Sequence, residues 1–132
     1  MKLATKEQIE TIVAAYFAAT RAMDKQAWLD TFAEDGTSTD PMGAPPLDSV
    51  EKLAAFFDGI TGAFEKVGIQ ENEVCVAGNG AAVKWTGYGT GKNGREVTFQ
   101  GIDVFEIDEN GKIKNLWAYW DPAAMIADLM RE

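Results

Sequence analysis

Asp103 is the residue whose position says most about possible chemistry. It lies in the strand-like run 97–105, between an Asn-Gly pair upstream and an Asp-Glu-Asn-Gly turn sequence downstream. With the two-residue period of a strand, one face of this run carries Val97, Phe99, Gly101, Asp103 and Phe105. Burial disfavours the charged form of a carboxyl group, so the pKa of Asp103 should rise and a neutral Asp103 would donate a hydrogen bond. In the alternative interpretation, Asp103 lies near a strand end and reaches water or a partner cation.

Tyr16 and Asp40 are two further side chains whose types suit proton chemistry. Tyr16 lies on the apolar stripe of a predicted first helix, and Asp40 precedes Pro41, which keeps it out of helical geometry. Each has a purely structural alternative. Tyr16 would then be a core tyrosine whose hydroxyl bonds to the backbone, and Asp40 would shape the turn before the proline.

Composition and charge narrow the possible functions. The chain has 132 residues, 46% of them hydrophobic, which predicts one domain over residues 1–132 with a packed core and a modest pocket. A net charge of -9 argues against nucleic acid and against anionic membrane surfaces, and favours a neutral small ligand. The absence of histidine excludes Ser-His and Cys-His triads and histidine-containing metal sites. Cys75 is the single cysteine, so an intrachain disulfide is impossible.

The sequence gives no sign of export or membrane insertion. No apolar run approaches the length of a membrane span, and residues 1–5 do not resemble a signal peptide. We therefore expect a cytoplasmic protein.

The first half of the chain predicts helices. Thr5 and Gln8 form a capping-box pattern at the start of the first helix, whose apolar period fades near Met23. Asp24 is placed to cap a second, shorter helix. This second helix is predicted to end at residues 34–36 and to carry on one side Trp28, Leu29 and Phe32.

The remainder predicts an extended segment, a third helix, an antiparallel sheet and a last helix. The extended segment spans 37–40, and Asp48 is expected to open the third helix. Asn-Gly sequences then separate alternating runs, which is a strong hairpin signal. Strands are expected near residues 69–77, 81–91, 95–107 and 112–120. Asp121 and Pro122 have the residue types of an N-cap and a first helical position.

Five motifs along the chain resemble those of one known family. They are Ala15-Tyr16, Asp40-Pro41 with Gly43 and Pro45-Pro46, the run 53–57, Ile102-Asp103-Val104, and Ala118-Tyr119-Trp120. In type and spacing they resemble the Δ5-3-ketosteroid isomerases, and the resemblance covers nearly the whole chain. It implies the α+β fold of the NTF2-like superfamily, a cone in which N-terminal helices pack on a strongly curved, mixed, mostly antiparallel β-sheet.

The resemblance also implies an activity and the residues that perform it. Asp40 would be the general base that moves a proton from C4 to C6 of a 3-keto steroid, converting the 5-ene into the 4-ene. Tyr16 and a protonated Asp103 would form the oxyanion hole on the C3 oxygen, and ketosteroid isomerases are an established case of a carboxylic acid kept neutral by its site. Removing a proton beside a carbonyl creates a dienolate, whose charge needs donors that stay protonated. A phenol and a neutral acid meet that need, so no cofactor and no metal are expected.

The implied ligand is a small hydrophobic ketone, and by the resemblance a steroid. The expected walls of its pocket are Phe56, Phe57, Phe99, Phe105, Leu116 and Trp120. A plain hydrophobic core is the alternative for several of these side chains. Trp117 and Tyr119 would face away from Trp120 on the outer sheet surface, and two large aromatics there predict a homodimer.

The sequence departs from the isomerase pattern in two places. Phe32 and Phe57 stand where well-studied members have tyrosines that support the catalytic tyrosine by hydrogen bonding. The strand 82–90 is also unusually rich in glycine and polar residues. If Val83 and Trp85 point inward the pocket is apolar and narrow near the glycines, and with the opposite parity it is wetter.

Two other functions remain open from the sequence. The C-terminal stretch also resembles SnoaL-type polyketide cyclases, in which an aspartate near the end of the last strand is the base for an aldol closure. Asp121 is the matching residue here, and a cap before Pro122 is its structural alternative. A non-catalytic NTF2-like module that binds a small hydrophobic ligand is the third possibility.

Overall fold

The structure, a computed structural model, describes residues 3–131. Met1 and Lys2, which begin the stretch examined for a signal peptide, lie outside the described residues, as does Glu132. The elements are α1 (Lys6–Ala22), α2 (Lys25–Leu29), β1 (Phe32–Thr39), α3 (Val50–Thr61), β2 (Phe64–Ala77), β3 (Gly80–Gly91), β4 (Glu96–Ile107), β5 (Ile113–Tyr119) and α4 (Pro122–Met130). No helix within this part of the chain is both long and apolar enough to cross a membrane.

The strands form one sheet in the order β1-β5-β4-β3-β2. The pair β1–β5 is parallel and every other neighbouring pair is antiparallel, which confirms the predicted mixed, mostly antiparallel α+β fold. The sheet is curved, and the β2–β3 ladder contains register shifts at 64–66 and 71–73. The N-terminal helices and α3 cover the concave face.

The predicted helix ends and turns are largely confirmed because they depend on local chemistry. The backbone N–H of Gln8 donates to Thr5 Oγ1 at 3.0 Å, and the Thr5 N–H donates to Gln8 Oε1 at 2.8 Å, which completes the capping box. Met23 ends α1 in the left-handed conformation, with a φ of 52°. One start is displaced: Ser49, not Asp48, caps α3, since its Oγ accepts the Lys52 N–H at 3.2 Å.

The second helix was predicted too long. It ends at Leu29, and Phe32, expected on this helix, is the first residue of β1. The Thr31 hydroxyl donates to the Trp28 carbonyl at 2.7 Å at the point where the helix stops. Beyond it, the Ile113 N–H donates to the Thr31 carbonyl at 2.9 Å, so the backbone is satisfied by β5 instead of by another helical turn.

The strand β2 also differs from its prediction, because it begins at Phe64 and not near 69. The earlier residues pair with the end of β3, where Val67 lies opposite Gly89. Phe64 and Val67 are buried in a second apolar cluster against α4. This cluster closes one end of the cone.

The parity of β3 is settled in favour of an apolar interior. Val83, Trp85, Gly87 and Gly89 are buried, whereas the residues between them are exposed or half-buried. A Cβ at Gly87 would lie 2.2 Å from Cε2 of Phe99. Glycine is therefore needed here for close approach, because it makes room for an aromatic ring from the neighbouring strand.

Candidate active site

A cavity of about 80 Å³ lies between the helices and the concave face of the sheet. Most of its lining is apolar, and the polar groups that reach it include a phenol and two carboxyl groups. The lining residues come from α1, α2, α3 and the strands of the sheet or the residues that follow them: Tyr16, Thr20, Trp28, Asp40, Phe56, Phe57, Ile60, Thr61, Val67, Gly68, Ile69, Trp85, Phe99, Asp103 and Trp120. Among residues 3–131, no three His, Cys, Asp or Glu side chains are grouped as metal ligands would be.

Tyr16 enters the cavity from the buried stripe of α1 and is 3% exposed. Its ring packs edge-on against Phe105 at a centroid distance of 5.3 Å and against Phe32 at 6.2 Å. Burial raises the pKa of Tyr16 well above its ordinary value, and the charges of Asp103 and Asp40 raise it further, opposed by the Trp28 indole. The hydroxyl therefore stays protonated and is a donor over the whole neutral range.

Asp40 follows the last residue of β1 and is 8% exposed. The indole N–H of Trp120 donates to its Oδ1 at 2.7 Å. Burial raises the pKa of Asp40 to about 6, although the hydrogen bond from Trp120 opposes this rise. At neutral pH Asp40 is thus mainly ionised, while its proton affinity is much higher than that of an exposed aspartate.

Asp103 lies within β4, opposite Val83 of β3 and Ala118 of β5, and is 1% exposed. Burial raises its pKa well above the ordinary value, and the nearby charge of Asp40 adds to the rise. The Trp85 indole opposes this effect, yet within the described part of the chain neither Asp103 Oδ1 nor Trp85 Nε1 has a partner in hydrogen-bond geometry. Burial and the charge of an ionised Asp40 therefore both favour the neutral form of Asp103.

The sheet and helices thus bring together the three titratable side chains singled out from the sequence. All three line the same cavity, and the charge of Asp40 raises the pKa of both Tyr16 and Asp103. Such a set can remove a proton from carbon with one carboxylate and can stabilise the resulting oxyanion with two neutral donors. Burial is the main cause of the raised pKa of all three groups, so no histidine is needed to supply a base or a donor.

Of the six expected wall residues, Phe56, Phe57, Phe99 and Trp120 line the cavity. Phe105 and Leu116 do not, which corrects the expectation from strand alternation. Both point inward, with 2% and 1% exposure, but they lie in the core under α1, where Phe105 packs on Tyr16 and Phe17. Alternation identifies the inner face of a strand, but it does not show how far along the strand the helices close over it.

Sequence reasoning missed several cavity residues. Trp28 was expected only as an apolar helix residue, and Val67 and Gly68 fell outside the predicted strand. Trp85 was left undecided because its direction depends on the parity of β3. The available signal was Gly87 and Gly89 on the same face, since glycines at alternate positions make room for rings from neighbouring strands.

Asp121 lies outside the cavity lining. It is exposed, and its Oδ1 accepts the Ala124 N–H at 3.0 Å as the N-cap of α4, with Pro122 at the first helical position. The helix-capping interpretation of this residue therefore has direct structural support.

The chain is similar to a known family and to known proteins. The family model described as a SnoaL-like domain matches residues 13–116. A protein named Steroid Delta-isomerase from Nocardioides simplex is 26% identical over 119 residues, which are 90% of this chain and 94% of that protein. Phe105, Leu116 and the three titratable residues all lie within the matched family region.

Solved structures with the same fold are also found. The structure of SalBIII, described as an epoxide hydrolase/cyclase-like enzyme in pyran ring formation in the polyether salinomycin, has a TM-score of 0.79 at 24% identity. That likeness covers 89% of this chain and 94% of SalBIII. An NTF2-like protein of unknown function from Burkholderia pseudomallei has a TM-score of 0.81 at 21% identity, over 94% of this chain and 98% of that one. These likenesses establish the NTF2-like fold.

Proposed function

We propose an isomerase function for this chain, which belongs to the SnoaL-like domain family. The proposed enzyme needs no cofactor and shifts a double bond by proton transfer. The reaction is the conversion of a 5-ene to a 4-ene in a 3-keto steroid through a dienolate. The observation that carries the proposal is the meeting of Tyr16, Asp40 and Asp103 in one apolar cavity, with burial setting different protonation states. Similarity to a steroid isomerase over 90% of the chain gives independent support.

Asp40 is the proposed general base. A base works best when its pKa lies close to the working pH, because it is then ionised and still binds a proton strongly. The pKa of about 6 meets both conditions near neutrality. Trp120 holds Oδ1 with its indole N–H, which leaves Oδ2 to take the proton from one carbon and return it to another.

Tyr16 and Asp103 are the proposed donors to the ketone oxygen. As the C–H bond breaks, negative charge moves onto that oxygen, and two donors whose neutral forms are favoured by burial stabilise it. Their raised pKa values follow mainly from burial among apolar side chains. In such a site each donor contributes about 3 kcal/mol of transition-state stabilisation.

The size of the cavity bears on the substrate. About 80 Å³ is well below the roughly 300–1,000 Å³ of most ligand pockets. A ketone of one or two rings needs less widening of this cavity than a four-ring steroid does. Turnover of cyclohex-3-enone beside turnover of a 5-ene-3-keto steroid measures this size preference directly.

The test follows the growth of conjugated-enone absorbance on both substrates. Asp40→Asn should lower kcat by roughly 10²- to 10⁴-fold, because it removes the base and keeps the shape of the side chain. Asp58→Asn, an exposed aspartate paired with Lys25, is the matched control and should leave kcat unchanged. Equal rates for Asp40→Asn and the wild type would overturn the assignment.

A polyketide-cyclase activity of the SnoaL type on the same fold is the second candidate, favoured by the match to the SnoaL-like domain family. In that function Asp121 would be the base. Loss of cyclisation in Asp121→Asn, with no isomerase activity in the wild type, would decide for the cyclase. Phenol binding that requires Tyr16 and Asp103, without turnover of any ketone, would instead indicate a binding module.

A further inference from the structure

Two buried polar atoms on the sheet side of the cavity have no hydrogen-bond partner among residues 3–131. They are Nε1 of Trp85, which is a donor, and Oδ1 of Asp103, which is an acceptor. Trp85 is 2% exposed and Asp103 is 1% exposed. Unpaired polar groups at this depth are unfavourable, so a donor and an acceptor that both lack partners in one cavity wall require an explanation.

The register of the sheet makes these two side chains diagonal neighbours. Trp85 of β3 lies opposite Gly101 of β4, and Val83 lies opposite Asp103, all on the inner face. Diagonal neighbours across an antiparallel pair are within reach of a large aromatic side chain. The Trp85 N–H is also close enough to the carboxyl group to act against the rise in the pKa of Asp103.

Gly101 fixes the direction in which the indole lies. A Cβ at this position would be 2.6 Å from Cζ2 of Trp85, the ring atom next to the carbon that carries Nε1. The missing side chain lets the nitrogen-bearing edge of the indole lie across β4, where Asp103 is two residues away. Any larger residue would push that edge off the strand.

We propose that Trp85 is a positioning residue whose indole N–H donates to Oδ1 of Asp103 when a ligand occupies the cavity. Hydrogen bonds in unoccupied active sites are often long or misaligned, and they tighten in the complex. In a neutral carboxylic acid, the oxygen that accepts the N–H is the carbonyl oxygen, so the acid proton must lie on Oδ2. Trp85 thus decides which oxygen of Asp103 carries the proton offered to the ligand.

Asp40, the second carboxyl group of the cavity, already accepts a hydrogen bond from a tryptophan indole. The Trp120 N–H donates to Asp40 Oδ1 at 2.7 Å, and the Trp85 and Trp120 rings pack edge-on with centroids 5.8 Å apart. Each acid therefore faces one indole of an adjoining pair. One indole orients the ionised carboxylate, and the other orients the neutral acid.

Infrared difference spectroscopy tests the hydrogen bond itself, on the full chain with 2-naphthol bound. The C=O stretch of neutral Asp103 is assigned by its absence in Asp103→Asn. In Trp85→Phe this stretch should move to higher frequency, because the carbonyl loses its donor. Trp117→Phe, which changes a tryptophan on the outer face, should leave it in place. An unchanged stretch in Trp85→Phe would overturn the proposal.

A second replacement separates the N–H from the shape of the side chain. β-(3-Benzothienyl)alanine at position 85 has sulfur in place of the N–H group and nearly the volume of tryptophan. It should show the same infrared shift as Trp85→Phe while keeping the thermal unfolding midpoint of the wild type. A wild-type stretch in this well-folded protein would equally refute the hydrogen bond.

The kinetic consequence rests on the proposed isomerase function. Loss of the N–H should lower kcat roughly 3- to 10-fold with little change in KM, the size expected for one lost hydrogen bond that acts in the transition state. If the wild type turns over no ketone, the proposed function fails, and the infrared shift still decides whether Trp85 holds Asp103. If turnover is found and kcat is unchanged in both variants, the positioning role fails alone.

Discussion

Asp40 accepts the Trp120 N–H on Oδ1. Oδ1 of Asp103 has no partner among the residues that the structure describes, and Asp103 is the more deeply buried of the two. Desolvation therefore raises the pKa of both carboxyl groups, and the hydrogen bond from Trp120 offsets this rise more fully at Asp40. Once Asp40 is ionised, its charge makes ionisation of Asp103 and Tyr16 still harder. Burial thus favours the neutral form of Asp103 more strongly than that of Asp40, although both groups line one cavity.

The pH dependence of activity follows from this difference. Only ionised Asp40 can accept a proton, so kcat/KM should fall about tenfold per pH unit below a midpoint near 6. Above this midpoint the profile should level off, because the raised pKa values of Tyr16 and Asp103 keep both donors protonated to higher pH. Trp120→Phe should move the midpoint upward, since the lost N–H stabilises the carboxylate, and Trp117→Phe should not. A midpoint near 4 would contradict the burial argument.

The same shift has a consequence for stability. The pKa of Asp40 is about 6 in the folded protein against 3.8 as the ordinary value, so the folded state binds this proton more tightly. The free energy of unfolding should therefore decrease as the pH rises from about 4 to about 6, by about 3 kcal/mol from this group. Asp40→Asn should accordingly be more stable than the wild type at pH 8, and nearly equal to it at pH 4. Urea denaturation at the two pH values measures both differences; equal stability at pH 8 would rule out a buried charge.

At the scale of the elements, the sequence predicted best what depends on neighbouring residues. The Thr5–Gln8 capping box and the cap at Asp121 are fixed by side chains a few positions from the backbone groups they satisfy, so a local pattern identifies them. Phe32 was misassigned because its strand exists only through pairing with β5, which lies some 80 residues further along. Such long-range pairing leaves no local signal in an eight-residue segment.

The candidate site shows the same division. Tyr16 and Asp103 could be placed on inner faces from period alone, since each lies among apolar residues of one helix or strand. The proximity of Asp40 and the contribution of Trp85 depend on how the sheet curves and on its register, which no single segment encodes. Resemblance to a family supplied the grouping that periodicity could not.

The inner glycines of β3 and β4 should be essential for the shape of the cavity. In Gly87→Ala the new methyl group would meet the Phe99 ring, whose nearest atom lies 2.2 Å away, so the ring must move toward the cavity. We expect a loss of about 1–3 kcal/mol in unfolding free energy and a higher KM. Gly59→Ala in α3 is the control, because no atom lies within 4 Å of its added Cβ, and it should stabilise the protein by about 0.5–1 kcal/mol. Equal effects of the two substitutions would show that the close approach is unimportant.

At the scale of the molecule, the outer face of the sheet carries exposed apolar side chains. Tyr88 is 54% exposed, Ile102 46% and Tyr119 50%, and Ile102 lies directly opposite Tyr119 in the β4–β5 ladder. Large apolar residues grouped on one exposed face are typical of association surfaces. The homodimer remains a prediction, with this outer face as its interface.

Sedimentation velocity tests the dimer. The wild type should sediment at twice the 14.4 kDa mass of one chain, and Ile102→Glu should sediment as a monomer, since it buries a charge at the centre of the contact. Ile126→Glu alters a comparably exposed isoleucine of α4, away from the sheet, and should stay dimeric. A monomeric wild type would contradict the dimer prediction.

The indole N–H of Trp120 is hydrogen-bonded to Asp40, whose pKa is about 6, and the Trp85 indole packs against the Trp120 ring. Indole fluorescence responds to the charge and polarity of such a contact, so the emission of the protein should titrate with the ionisation of Asp40. The chain thus contains its own optical reporter of the protonation of the base. Changes in tryptophan emission can therefore be used to screen for ligands that alter the ionisation of Asp40, before any reaction has been found.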